Sequence, residues 1–208
     1  AVGLTTWLDG GDNPGPGPTP TPVISSTPNG PTPTPPPAPP PSSSGATTST
    51  ADAGYAEETR DFGVSAKSTL ESAVANPTPL QIPAGRRVTT GEVQRIMAAD
   101  PDTVLIDVLD NPHSVTIRGA KFIPGIGSGG DTNDAIQAAT VRTLATASGN
   151  DRTRKLIFFC MGARCWESYN AVLRAAAAGY SNIYWYRGGL ASWQEAGLPM
   201  GETPAAIR

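Results

Sequence analysis

Cysteine occurs twice and histidine once in 208 residues, and no run of 18 apolar residues exists. Two cysteines cannot make a disulfide framework, so their number does not fix the redox compartment. Two cysteines and one histidine cannot close the four positions of a structural zinc site, and no metal or cofactor is expected. Without a long apolar run, no membrane span is expected. Basic residues are few, 15 Lys and Arg against 18 Asp and Glu, for a net charge of −3. They are scattered, with no basic stripe and no alternation with aromatics, which argues against a nucleic-acid partner. P-loop, GxGxxG and Ser-His-Asp signatures are absent too.

What the chain has in excess is proline, 22 residues, 14 of them before residue 42. Residues 1–50 carry no Lys or Arg and only two acids, Asp9 and Asp12. Such a segment cannot bury enough apolar surface to offset the entropy of ordering and is expected to be disordered. The stretch "PGPGPTPTPVISSTPNGPTPTPPPAPPPSSSG" favours polyproline II and reads as a semi-rigid tether. A ligand for a proline-recognising protein partner is the alternative. The opening "AVGLTTWLDGG" begins apolar, turns polar and lacks Met. It fits the mature end left by a signal peptidase, the outer stub of a removed helix, or a mere chain boundary. The first two predict export to the periplasm or another extracytoplasmic site.

Residues 51–87 have apolar anchors without a sustained period and read as an extended arm packed on the following domain, 88–208. From Arg86 onward, strand and helix signals alternate. "RRV" is a short strand. Thr89 precedes Glu92 by three, the spacing of a capping box, and Val93, Ile96 and Met97 share a helical face. "TVLIDV" and "KLIFFC" are continuous apolar runs, the mark of strands buried on both faces. "AKFIP" and "NIYWY" are further strands. Helices are predicted over 131–148 and 166–178, the second ended by Gly179, and a short one over "LASWQEAG". The alternation implies an α/β domain with a mainly parallel sheet, whose ligands sit beyond the carboxyl ends of the strands.

Both cysteines fall at one such corner, in "KLIFFCMGARCWESYNAVL". Cys160 ends a buried strand, Cys165 opens a helix, and Gly162 and Arg164 lie between. The glycine permits a sharp turn. The amides from Gly162 to Trp166 could line an anion nest together with Met161, Gly162, Ala163, Arg164 and Cys165. The helix start and Arg164 add positive charge. All of this favours a Cys160 thiolate and suits a small sulfur donor or an oxyanion. The bland alternative is a buried core thiol. Cys165 could bond to Cys160, resolve a persulfide or sulfenate on it, or simply pack beneath the loop.

This corner, followed by "GYSNIYWYRGGLASWQEAGLP" and preceded by "VLIDV" and "IRGAKFIPG", resembles the rhodanese superfamily. The resemblance runs from Val88 to Pro199. It implies a five-stranded parallel sheet flanked by helices, with Cys160 as the nucleophile that carries sulfane sulfur from a donor to a thiophilic acceptor. The Cys165–Trp166 pair and the arm are also similar to periplasmic rhodanese-like proteins associated with PQQ-dependent alcohol catabolism. There are departures. In typical active rhodaneses the arginine follows the cysteine by five, whereas Arg164 follows by four and Cys165 takes the next place. Leu109 and Thr116 stand where that family usually has Arg and His, and His113 reads as a surface loop residue. These departures argue against efficient thiosulfate turnover and leave two readings: sulfur transfer or thiol redox chemistry through Cys160, or a non-catalytic module that binds an anion or a protein.

Overall fold

The computed structural model describes Gly15, Gly17, Tyr55 and residues 57–208. The chain divides into two units, Ala1–Gly45 and Ala46–Arg208. The tether expected over 1–50 lies outside the described residues apart from two exposed glycines.

Among the described residues of the second unit, seven strands and four helices follow one another: β1 (Arg86–Val88), α1 (Thr90–Ala99), β2 (Val104–Asp107), β3 (Val115–Ile117), β4 (Lys121–Phe122), α2 (Ala135–Ser148), β5 (Leu156–Phe159), α3 (Glu167–Ala177), β6 (Ile183–Tyr186), α4 (Gly189–Glu195) and β7 (Met200–Glu202). Five strands form one sheet in the order β1-β6-β5-β2-β4, every pair parallel. β2 and β5 are buried at every position, as strands covered on both faces must be. β3 and β7 form a separate antiparallel pair.

Local chemistry sets the boundaries. Thr89 caps α1, its side chain accepting from Glu92 N–H while the Glu92 carboxylate accepts from Thr89 N–H at 2.8 Å. α2 starts four residues later than the pattern suggests. Asp134 is its N-cap, accepting from Gln137 N–H at 2.7 Å, and residues 131–133 form the turn before it. Ala178 ends α3, and Gly179 follows in a left-handed conformation at φ 87°.

From β2 the chain steps outward to β4 and then returns to the other flank of β2 for β5 and β6. That reversal opens a crevice between the carboxyl ends of β2 and β5, where Asp107 and Phe159 are in register. Cys160 is the next residue after β5. The core beneath it is aromatic: Tyr169 sits edge-on to Trp166 and to Trp185, and Trp193 edge-on to Tyr186.

Residues 57–85 contain no helix or strand. They run along α3 and the cysteine loop through reciprocal bonds. Tyr169 Oη accepts from Lys67 N–H at 2.8 Å and donates to Lys67 O at 2.7 Å. Asn170 pairs in the same way with the backbone of Glu71.

Candidate active site

The loop between β5 and α3 is held from both sides. Its carbonyls take up the first-turn amides of α4: Cys160 O accepts from Leu190 N–H at 3.0 Å and Met161 O from Ala191 N–H at 2.9 Å. The close approach explains the glycine pair after β6. A Cβ on Gly189, at φ 55°, would lie 2.2 Å from Cys160 O, and one on Gly188 would lie 2.3 Å from a Glu58 carboxylate oxygen. On the other side the arm supplies partners. Trp166 N–H donates to Val74 O at 2.8 Å, Trp166 Nε1 to Pro77 O at 3.1 Å, and Thr78 N–H to Ala163 O at 3.0 Å.

Cys160 and Cys165 are joined by a disulfide, with their Cα atoms 6.4 Å apart, inside the range such bonds require. Both are buried, Cys160 at 1 % and Cys165 at 8 % exposure. Ser168, in the first turn of α3, faces Cys160 twice: its N–H points at the sulfur at 3.4 Å and its Oγ lies 3.2 Å away. Trp185 Nε1 donates to that Oγ at 3.0 Å, which leaves the hydroxyl proton free for sulfur. Cys165 Sγ lies 3.5 Å from Glu167 Oε2.

Two of the amides and the arginine expected to cradle an anion have other partners. Cys165 N–H closes a turn to Gly162 O at 3.0 Å, and Trp166 N–H is taken by the arm. Arg164 is half-exposed and turned outward, its Nε donating to Glu57 Oε2 at 3.0 Å and its guanidinium lying 4.7 Å from the Phe62 ring centre. The reason is non-local: a carboxylate 107 residues away in sequence offers a bidentate fork. This contact in turn holds the Glu57 carboxyl below its usual range. Met161 is exposed, while Gly162 and Ala163 are buried. These loop residues line one side of a cavity of about 220 Å³, with Glu57, Gly188, Ala191, Ser192 and Glu195 opposite.

Several side chains here were not singled out by sequence reasoning, or are placed differently. Arg187, read only as part of "RGG", is buried and donates to Thr78 Oγ1 and O and to the carbonyls of Glu57 and Glu58, at 2.9–3.0 Å. Burial pushes it down to about 10, so it stays charged at neutral pH. His113 is not a free surface residue: Nε2 lies 2.9 Å from Asp107 Oδ2 and the ring sits edge-on to Phe122. Asp107 and Asp110 have separate partners. Asp107 Oδ2 takes the Thr116 hydroxyl at 2.5 Å, whereas Asp110 is exposed and its N–H donates to Glu167 Oε2 at 3.2 Å. Glu167 was visible only as an acid in the first turn of a helix, where it needs no special explanation. Cys160, Cys165 and Glu167 bring their donor atoms within 4.8 Å of one another. The two sulfurs are bonded to each other and offer no thiolate, so the cluster is not read as a metal site.

Residues 89–196 match the description "Rhodanese-like domain". The chain belongs to the rhodanese-like family. No curated protein matches it. Among solved structures, the domain is similar to thiosulfate sulfurtransferase from Pseudomonas aeruginosa, at 20% identity and a TM-score of 0.45, over 59% of this chain and 21% of that one. It is also similar to a polysulfide-sulfur transferase homodimer from Wolinella succinogenes, at 22% identity and a TM-score of 0.38, over 56% and 78% of the two chains. A third is a Rhodanese_3-like domain from Anabaena, at 23% identity and a TM-score of 0.36, over 48% and 98%. The chain thus spans about a fifth of the length of the Pseudomonas enzyme. The loop after β5 holds one half of a disulfide, Cys160.

Proposed function

We propose that this rhodanese-like domain is a thiol–disulfide redox protein whose working couple is Cys160–Cys165. The observation that carries the reading is the bond between the two sulfurs at the nucleophile's place, with Arg164 and two loop amides committed elsewhere. A thiol partner needs only a sulfur to attack and a leaving thiolate that the site can stabilise. Cys160 faces two Ser168 donors and suits that leaving role.

Sulfane-sulfur transfer through Cys160 is the second reading, supported by the family and by the names of two similar enzymes. The two readings share a reduced intermediate. A Cys160 persulfide, taken from a small sulfur donor, would be discharged when the Cys165 thiolate attacks its inner sulfur: the persulfide S–S bond breaks, the outer sulfur leaves as hydrosulfide, and the same disulfide forms. Export to the periplasm or another oxidising compartment accords with both, because such compartments preserve disulfides. The proline-rich segment then serves as the spacer, or as the place where a protein partner docks.

Intact-protein mass spectrometry with peptide mapping tests this. The untreated protein should be lighter by two hydrogens than the form reduced with dithiothreitol, and only the reduced form should take up iodoacetamide, at both cysteines. Two free thiols in protein purified under air would overturn the redox reading. If the reduced protein gains one sulfur atom at Cys160 from a sulfane donor and keeps it in the Cys165→Ser variant, the transfer reading gains ground.

A further inference from the structure

Glu167 lies two residues after Cys165, in the first turn of α3, yet it is not a surface charge. It is 8 % exposed, and its Oε2 is 3.5 Å from Cys165 Sγ. The groups that face it are Asp107 at the end of β2, and Asp110 and His113 in the loop that follows. The two carboxylates oppose its ionisation, while His113 and the Asp110 N–H favour it. Burial outweighs them and raises the carboxyl above its ordinary range, so the protonated form persists to higher pH. The two sulfurs therefore have different neighbours. Cys160 has the two Ser168 donors suited to a thiolate, beside the Cys165 carbonyl oxygen at 3.3 Å, and Cys165 has a carboxyl suited to exchanging a proton.

We propose that Glu167 is the acid and base for the Cys165 sulfur, giving it a proton when that sulfur leaves and taking the proton back when it attacks. The proposal rests on the redox reading above. Reduction by an external dithiol runs in two displacements. A thiolate of the donor attacks Sγ of Cys165, the less deeply buried of the two residues, and the Cys160–Cys165 bond breaks. Its electron pair stays on Cys160, which leaves as a thiolate facing the Ser168 N–H and hydroxyl. The donor's second thiol gives its proton to water, and its sulfur attacks the donor sulfur bonded to Cys165. The bond to Cys165 breaks, its electron pair passes to Cys165 Sγ, and the Glu167 carboxyl proton moves onto that sulfur. The donor has become a disulfide and lost two electrons. Cys160 and Cys165 have gained them, and water reprotonates Glu167.

The second displacement can be isolated. In a Cys160→Ser background, Cys165 is loaded with glutathione as a mixed disulfide, and its discharge by dithiothreitol is followed by mass spectrometry as a rate per thiolate. Glu167→Gln should slow discharge by about 100-fold at neutral pH, the low end of what a positioned proton donor contributes. In the parent, the rate per thiolate should fall as pH rises through the Glu167 titration, and in the Gln variant it should not. Glu167→Asp, which keeps the proton at a shorter reach, should be intermediate. Equal rates for parent and Gln variant, or a flat profile in the parent, overturn the proposal while leaving the redox reading intact. Should Glu167→Gln fail to fold, the parent profile and the Asp variant decide alone. Wild-type protein that dithiothreitol does not reduce while folded would overturn the redox reading and this proposal with it.

Discussion

Arg187 grips Thr78 at two points, Nε donating to Oγ1 at 2.9 Å and Nη2 to the carbonyl oxygen at 3.0 Å. The same guanidinium takes the carbonyls of Glu57 and Glu58 and lies 5.0 Å from the Phe62 ring centre. One side chain at the end of β6 thus ties down residues more than a hundred positions earlier. Arg187→Ala would orphan these buried acceptors and should cost about 3–5 kcal/mol of stability in urea unfolding. Limited proteolysis of the variant should cut within residues 57–80, where the wild type should resist. An unchanged digestion pattern would mean that the arm is held by other contacts.

The disulfide closes a short ring, five positions apart in sequence. Loop-closure entropy for so short a ring is worth only about 2 kcal/mol. Reduction with dithiothreitol, or Cys165→Ser, should therefore lower stability by about that amount and leave the sheet folded, as circular dichroism would report. Unfolding on reduction would make the bond a structural staple instead of a working couple.

Acid sensitivity should come from Asp134. Its carboxylate meets Arg174 at 2.9 Å through each of two guanidinium nitrogens, and Arg174 is fully buried. These bonds hold the Asp134 carboxyl well below the usual carboxylate range. A depressed folded-state value means that the stabilisation is present above the unfolded value and is lost as pH falls through the folded one. The urea midpoint should fall from mildly acidic pH down to about pH 2. Asp134→Asn, which keeps a good cap but not the charge, should start lower and change less.

Glu58 should act in the opposite sense. It is fully buried, one oxygen takes Thr90 N–H and hydroxyl while the other has no partner, and burial raises its carboxyl. A raised folded-state value contributes stability that is complete below the ordinary glutamate range and is lost as pH rises through it. Glu58→Gln should flatten that loss in the same urea series. A Gln variant with the parent's slope would assign the pH dependence elsewhere.

The parts of this molecule that could be read in advance depend on neighbours in sequence. The Thr89–Glu92 box, the buried runs of β2 and β5, and the glycine after α3 all act within a few residues. β3 and β7 escaped because each is three residues long, with a glycine in the second, and only their pairing across 80-odd positions makes them strands. Arg164 shows the same limit in the site. Its position in the loop pointed at the sulfur, but Glu57 of the arm competes for it and wins with two bonds. Sequence placed Cys160 and Cys165 at one corner. It could not reveal that Ser168 and Glu167 divide the two sulfurs between them, because both look like ordinary first-turn helix residues.

Ser168 gives the last prediction. In the reduced protein its hydroxyl and N–H would both donate to a Cys160 thiolate, and the hydroxyl is held in place by Trp185 Nε1. A hydrogen bond to a charged group is worth roughly 1.5–3 kcal/mol, so removing the hydroxyl should raise the Cys160 thiol by about one pH unit or more. Ser168→Ala also leaves Trp185 Nε1 without its acceptor, so lower stability alone would not distinguish this role from simple packing. The thiolate absorbance of the reduced Cys165→Ser protein does, because only Cys160 then titrates among the cysteines. Its midpoint should move up in Ser168→Ala, and Ser168→Thr, which restores the hydroxyl, should bring it back towards the parent. A midpoint that stays put while stability falls would make Ser168 a packing residue, and the Cys160 thiolate would have to be stabilised by the α3 N-terminus alone.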